Sequence, residues 1–173
     1  MIDRVFNFSP GPAVLPVSVL EQARDEMLAL PGVGMSVLEI SHRSPAFDQI
    51  LADTIAGLRH LLSIGADYEV VFLQGGASLQ FSMVPMNLLR GSSQQADYVV
   101  TGTWGVTGAR EARGEGGVHV AWDGGKSNYD RLPADGEIRL SDRPAYVHLT
   151  SNETIQGVQW KRLPELGDAP VVC

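Results

Sequence analysis

Cysteine is nearly absent from this chain of 173 residues: the single one, Cys173, is the last residue. No disulfide framework and no cysteine-based zinc site can form within the chain. Lysine is almost as scarce, with Lys126 and Lys161 as the only two. Positive charge is the minority sign, since 13 Lys and Arg stand against 20 Asp and Glu, a formal net charge of −7. That excludes a broad basic face for nucleic acid or an anionic membrane, while small anions need only a local cluster of donors. No apolar run is long enough to cross a bilayer. The opening "MIDRVFNFSPGP" carries early charge and no apolar signal core, so a cytoplasmic protein is expected. The patterns Gly-x-x-x-x-Gly-Lys-Ser/Thr and Gly-x-Ser-x-Gly are both missing, which removes a P-loop nucleotidase and a nucleophile-elbow hydrolase.

What is present reads as a globular α/β chain with 44% hydrophobic residues, long enough for one domain with a core. "FNFSPGPAVLP" is rich in turn formers. Val19, Leu20, Ala23, Met27 and Leu30 then recur at helical spacing, with Ser18 as the expected cap and Pro31-Gly32 as the stop. Ile50, Leu51, Ile55, Leu58, Leu61 and Leu62 predict a second helix from about Phe47 to Leu62. "YEVVFLQ" predicts a buried strand running into a third helix over 78–89. "ADYVV", "GVHVAWD" and "AYVHLT" predict further strands, and "VTGAREARGE" a further helix. Strands alternating with helices predict a three-layer αβα sandwich with a mainly parallel central sheet, whose ligands sit at the strand ends. "DAPVVC" reads as a buried strand just begun, so the chain is expected to be a piece of a longer protein.

Two strand ends carry the chemistry. In "QGGAS", Gly75 and Gly76 allow a tight turn, and the small Ala77 and Ser78 leave the helix amides accessible. That suits a phosphate cup at Gly76, Ala77 and Ser78, and equally a purely structural glycine turn. In "TGTWG", Trp104 offers a flat face for a conjugated ring, or simply fills core space. The same stretch supports a rival reading. Gly102, Gly105 and Gly108 follow a strand, and Asp123 ends the next one, as in an NAD(P)-binding oxidoreductase, although the spacing is not Gly-x-Gly-x-x-Gly. In "ISHRSPAF", Arg43 and His42 suit an anionic group, and equally a solvated loop.

"FNFSPGPAVLP", "EISHRS", "QGGASLQFSMVPMNLL", "ADYVVTGTW" and "SNETIQGVQW" together resemble the phosphoserine aminotransferases, pyridoxal-phosphate enzymes of fold type I in the class-V aminotransferase group. The resemblance covers essentially the whole chain. It implies pyridoxal 5'-phosphate as cofactor and amino transfer between glutamate and 3-phosphohydroxypyruvate, which yields phosphoserine in serine biosynthesis. It also implies a homodimer with sites at the subunit interface. By motif, Ala77 and Ser78 hold the cofactor phosphate, Trp104 stacks on the ring, and Thr154 bonds its phenolic oxygen. Ser9, His42 and Arg43 meet the substrate's anionic groups. Residues 1–15 correspond to an N-terminal arm and substrate-site segment, and 16–173 to the N-terminal part of the cofactor-binding large domain. Many members carry arginine where Ser78 stands; others have the Ala-Ser form. The family's Schiff-base lysine comes after a later strand, and neither Lys126 nor Lys161 matches its motif. The aspartate that pairs with the pyridine nitrogen would directly follow "VVC". The resemblance therefore implies that these 173 residues alone are catalytically inactive.

Overall fold

The computed structural model describes residues 4–134 and 136–173, so Met1–Asp3, the start of the expected arm, lie outside the described residues. The chain divides into two compact units, Met1–Phe72 and Leu73–Cys173.

The first unit holds two helices, α1 (Val17–Glu26) and α2 (Pro45–Leu62). The expected Ser18 cap is not made, because α1 begins one residue earlier, behind Pro16, with no side-chain cap bond. Ser18 thus lies inside the first turn, where it cannot serve as the cap residue. The helix also stops short of Leu30, whose carbonyl takes the amides of Val33 and Gly34 in a tight turn. Gly32 and Gly34 supply that turn's positive φ, +77° and +79°. In α2 the Ser44 side chain accepts from the Phe47 amide, Pro45 opens the first turn, and Asp48 lies near the N-terminus with Arg59 and His60 near the C-terminus. Each of these choices favours the helix dipole or satisfies an end group. After α2 the Arg59 guanidinium donates to the carbonyls of Gly65 and Tyr68, both at 2.7 Å.

The expected strand "YEVVFLQ" is not formed. Residues 69–74 are irregular, and Val71, Phe72 and Leu73 are exposed. The segment has the side chains of a strand but no neighbour among the described residues to take its amides.

The second unit is built on a parallel sheet with strand order β2-β1-β3-β6. Its strands are β1 (Ala96–Val100), β2 (Val118–Asp123), β3 (Val147–Leu149) and β6 (Val171–Val172). Register sets Ala96 opposite Val118, Asp97 opposite Val147, and His148 opposite Val172. A separate antiparallel hairpin pairs β4 (Asn152–Glu153) with β5 (Val158–Gln159). Every residue of β1 is buried, as expected for a strand covered on both faces. On one face Tyr98 and Val100 meet Leu89 near the end of α3 (Gly76–Leu88) and Ala109 and Ala112 of α4 (Thr103–Ala112). On the other, Val99, Ala121, Val147 and Leu149 meet Leu166, Ile138 and Leu140. Burying each of the larger side chains contributes about 1.5–3 kcal/mol. The fully buried Asp97 is satisfied by the Ser141 amide and hydroxyl at 2.6 and 2.7 Å and by His119 Nδ1 at 3.1 Å. Among the described residues no helix is long and apolar enough to cross a membrane.

Candidate functional site

The site is built from two junctions where a chain segment enters a helix, both in the second unit. At the first, Gly75 and Gly76 adopt φ of +87° and +58°. A Cβ on Gly75 would lie 2.4 Å from Leu79, so only glycine turns here. Helix α3 starts at Gly76 with no side-chain cap, and Gly76, Ala77 and Ser78 are exposed. The amides of its first turn and the positive end of its dipole are left for an outside acceptor.

The second junction is closed. Trp104 is half-buried and lies in the first turn of α4, not on a loop as the sequence suggests. Both oxygens of the fully buried Glu153 accept main-chain amides, from Trp104 and Gly105, each at 2.8 Å. Gln156 Oε1 accepts the Thr103 amide at 3.2 Å, and its Nε2 donates to Thr103 Oγ1 at 2.7 Å. A Cβ on Gly102 would lie 2.6 Å from Glu153 Cδ, and one on Gly105 3.2 Å from Glu153 Oε1. On Gly108 it would meet Phe81, His148 and Tyr98 at 3.2–3.4 Å. These glycines admit a hairpin and aromatic neighbours rather than a pyrophosphate. Asp123, the rival reading's ribose ligand, instead accepts the Gly125 amide at 2.8 Å. The dinucleotide-binding reading is therefore corrected: a carboxylate of the chain already fills the helix end it requires.

Between the junctions lies a cavity of about 560 Å³. Gly75–Ser78, Trp104, Tyr98, His148 and the segment Thr150–Asn152 border it. The His148 ring stacks on Tyr98 with centroids 4.7 Å apart, and Phe81 meets its edge at 6.1 Å. Burial pulls the His148 pKa from 6.5 down to about 4, so the imidazole is neutral at pH 7. Its Nδ1 and the hydroxyls of Thr101 and Thr150 are buried without a hydrogen-bond partner among the described residues. Tyr98 and Tyr146 share a hydroxyl contact of 2.8 Å; burial first, then that contact, raises the Tyr98 pKa.

The structure thus brings Gly76, Ala77, Ser78 and Trp104 around one cavity. Thr154 does not border it, but the Thr154 hydroxyl accepts the Trp104 indole N–H at 3.1 Å. Ser9, His42 and Arg43 belong to the first unit and are exposed there. The Ser9 amide donates to Asn7 Oδ1 at 2.9 Å, and the Arg43 amide to Ser41 Oγ at 3.2 Å. Sequence reasoning missed His148, Glu153 and Gln156. His148 had a usable signal, a polar residue near the carboxyl end of an apolar strand. Glu153 and Gln156 had none, since they act on residues 48–53 positions away. Of the described residues, no three His, Cys, Asp or Glu side chains gather as a metal site.

The pattern of the family described as aminotransferase class-V matches residues 5–171. Phosphoserine aminotransferase of Rhodopirellula baltica is 50% identical over 167 residues, covering 96% of this chain and 44% of the relative. That of Ralstonia nicotianae is 51% identical over 169 residues, 96% of this chain and 45% of the relative. Among solved structures, phosphoserine aminotransferase from Bacillus circulans subsp. alkalophilus superimposes with a TM-score of 0.91 at 46% identity, over 97% of this chain and 46% of that one. A PLP-bound phosphoserine aminotransferase from Trichomonas vaginalis gives a TM-score of 0.88 at 34% identity, over 97% of this chain and 47% of that one. The chain spans less than half the length of these relatives.

Proposed function

The chain belongs to the class-V aminotransferase family, and from that premise we propose that it supplies the cofactor-binding half of a phosphoserine aminotransferase site. The reaction is amino transfer between glutamate and 3-phosphohydroxypyruvate, and the cofactor is pyridoxal 5'-phosphate. One observation carries the reading. A single cavity borders both an uncapped helix N-terminus, at Gly75–Ser78, and an indole, at Trp104. An anionic ester and a conjugated ring in one ligand fit that pair.

Position at the cavity supports the roles of Gly76, Ala77, Ser78 and Trp104, and motif those of Thr154, Ser9, His42 and Arg43. Amides at Gly76, Ala77 and Ser78 bind the phosphate, with the Ser78 hydroxyl as a further donor. Trp104, at the cavity border, would stack on the ring and keep water from that face. Thr154, bonded to the indole N–H beside the cavity, would reach the ring's phenolic oxygen by the motif's assignment. His148, neutral at pH 7, adds a polar wall without adding charge. When bound, the cofactor supplies an electron sink for bond cleavage at the amino-bearing carbon. Among the described residues no lysine borders the cavity, so the task of these side chains is to bind and orient. Ser9, Arg43 and His42 read the anionic groups of glutamate and the phosphorylated keto acid, with residues 1–15 as the arm that carries Ser9. Relatives named phosphoserine aminotransferase support this substrate pair. A cytoplasmic homodimer is part of the proposal.

Titration of the protein with pyridoxal phosphate, followed by tryptophan fluorescence, tests the reading. Saturable quenching is expected. Trp104→Ala should weaken binding about tenfold or more, the loss of one stacking partner in a desolvated site. Amino transfer is read as 2-oxoglutarate formed from glutamate by the full-length gene product, dependent on 3-phosphohydroxypyruvate. Quenching that never saturates, or binding that ignores Trp104, overturns the proposal.

A further inference from the structure

Trp104 is held at both ends by one short hairpin. Its main-chain amide goes to Glu153 at 2.8 Å, and its indole N–H goes to Thr154, the next residue, at 3.1 Å. The amides on either side are taken as well, Thr103 by Gln156 and Gly105 by Glu153. Three successive amides at the start of α4 are therefore consumed by side chains of residues 153–156. Glu153 is fully buried, and its charge sits at the positive end of the helix, where amide bonds and dipole both compensate it. Gly102 and Gly105 let the hairpin approach this closely; a Cβ on Gly102 would lie 2.6 Å from both Glu153 Cδ and Gln156 Oε1.

We propose that Glu153 and Gln156 are positioning residues that fix the plane of Trp104 beside the cavity, and that the indole N–H in turn sets Thr154 as a hydrogen-bond donor. A hydroxyl that accepts from the indole keeps its own hydrogen free. Filling the α4 terminus with Glu153 also leaves the α3 terminus as the helix end of this pair open to a phosphate. The residue assignments rest on the function proposed above only for the identity of the ligand. The clamp itself is a property of the protein alone.

The test has a ligand-free arm and a ligand arm. In 15N-labelled protein, the Trp104 indole N–H resonance is assigned with Trp104→Phe. Thr154→Val should shift that resonance and speed its exchange with water, while Thr154→Ser should leave both near wild type. Glu153→Gln puts a donor against one main-chain amide, and should broaden or shift the same resonance. Gln156→Ala, which keeps the buried carboxylate, should do so more weakly and serves if Glu153→Gln does not fold. In the ligand arm, Glu153→Gln should raise the Kd for pyridoxal phosphate about tenfold, the effect of one mispaired buried amide. Its Kd for inorganic phosphate at the α3 terminus should stay within about twofold of wild type. An unmoved indole resonance in Glu153→Gln and Gln156→Ala overturns the clamp. Wild-type protein that shows the clamp but binds no pyridoxal phosphate overturns the functional reading instead.

Discussion

His148 is 6% exposed, stacked on Tyr98, and depressed by burial to a pKa of about 4. In the unfolded chain its pKa returns to about 6.5. Above that value neither state binds the proton, and the native state is not penalised. As pH falls from about 6.5 to 4, the unfolded chain takes up a proton that the folded one refuses, so stability falls; below the folded pKa the loss levels off. The full loss is on the order of 3 kcal/mol. Urea unfolding midpoints should therefore drop between pH 6.5 and 5, and His148→Phe should flatten that slope. His42 and His60 are exposed and His119 lies against Asp97 at 3.1 Å, so the difference in slope between His148→Phe and wild type, rather than the slope itself, isolates His148. An unchanged slope in the variant would mean that His148 is solvated in the native state. At this scale the site is half legible. The Gly75–Ser78 turn and Trp104 stand out because local sequence reveals them, as a glycine pair before a helix and an indole after a strand. Glu153 reads in sequence as one polar residue of a loop, because what makes it special is a pair of amides 48 and 49 positions away.

Helix α2 shows how far local chemistry carries an element. Ser44, Pro45 and Asp48 specify its start, and Arg59 and His60 its end. The apolar spacing alone places the start two residues late, because it ignores the cap-plus-proline signal in "SHRSP". The C-cap is less well made: Ser63 sits in the left-handed region at φ +54°, ψ +41°. A Cβ is unfavourable there, and glycine relieves it. Ser63→Gly should stabilise the protein by about 0.5–1 kcal/mol, read as a higher urea midpoint with an unchanged m-value. A lower midpoint would show that the freedom added to the unfolded chain outweighs the relief. Helix α1 and the segment 69–74 mark the opposite case. Pro16 takes the cap position from Ser18, and "YEVVFLQ" has strand propensity without a strand partner among the described residues. Propensity is local, whereas sheet membership needs a second chain segment to accept the amides.

Across the whole molecule, burial is distributed unevenly. All five residues of β1 and all three of β3 are buried, whereas α1 and α2 bury none of theirs. The alternation of "ADYVV", "GVHVAWD" and "AYVHLT" with helical spacing makes the parallel sheet legible, because strands covered on both faces are mostly apolar, with Asp97 and His148 as the buried polar exceptions. The order β2-β1-β3-β6 is not legible, since nothing in a strand's own residues names its neighbours. Local stability should follow burial, because an amide exchanges through the smallest opening that frees it. Amides of β1 and β3 should exchange slowest, near the global unfolding limit. Those of α1 should exchange at least about a hundredfold faster, having no buried side chains to hold the helix closed. Hydrogen exchange read by mass spectrometry at several protein concentrations checks this. Protection of α1 equal to that of β1 at every concentration would contradict the burial argument. Protection that rises with concentration would assign the exposed face of α1 to contact with a second copy, the association that the proposed homodimer requires.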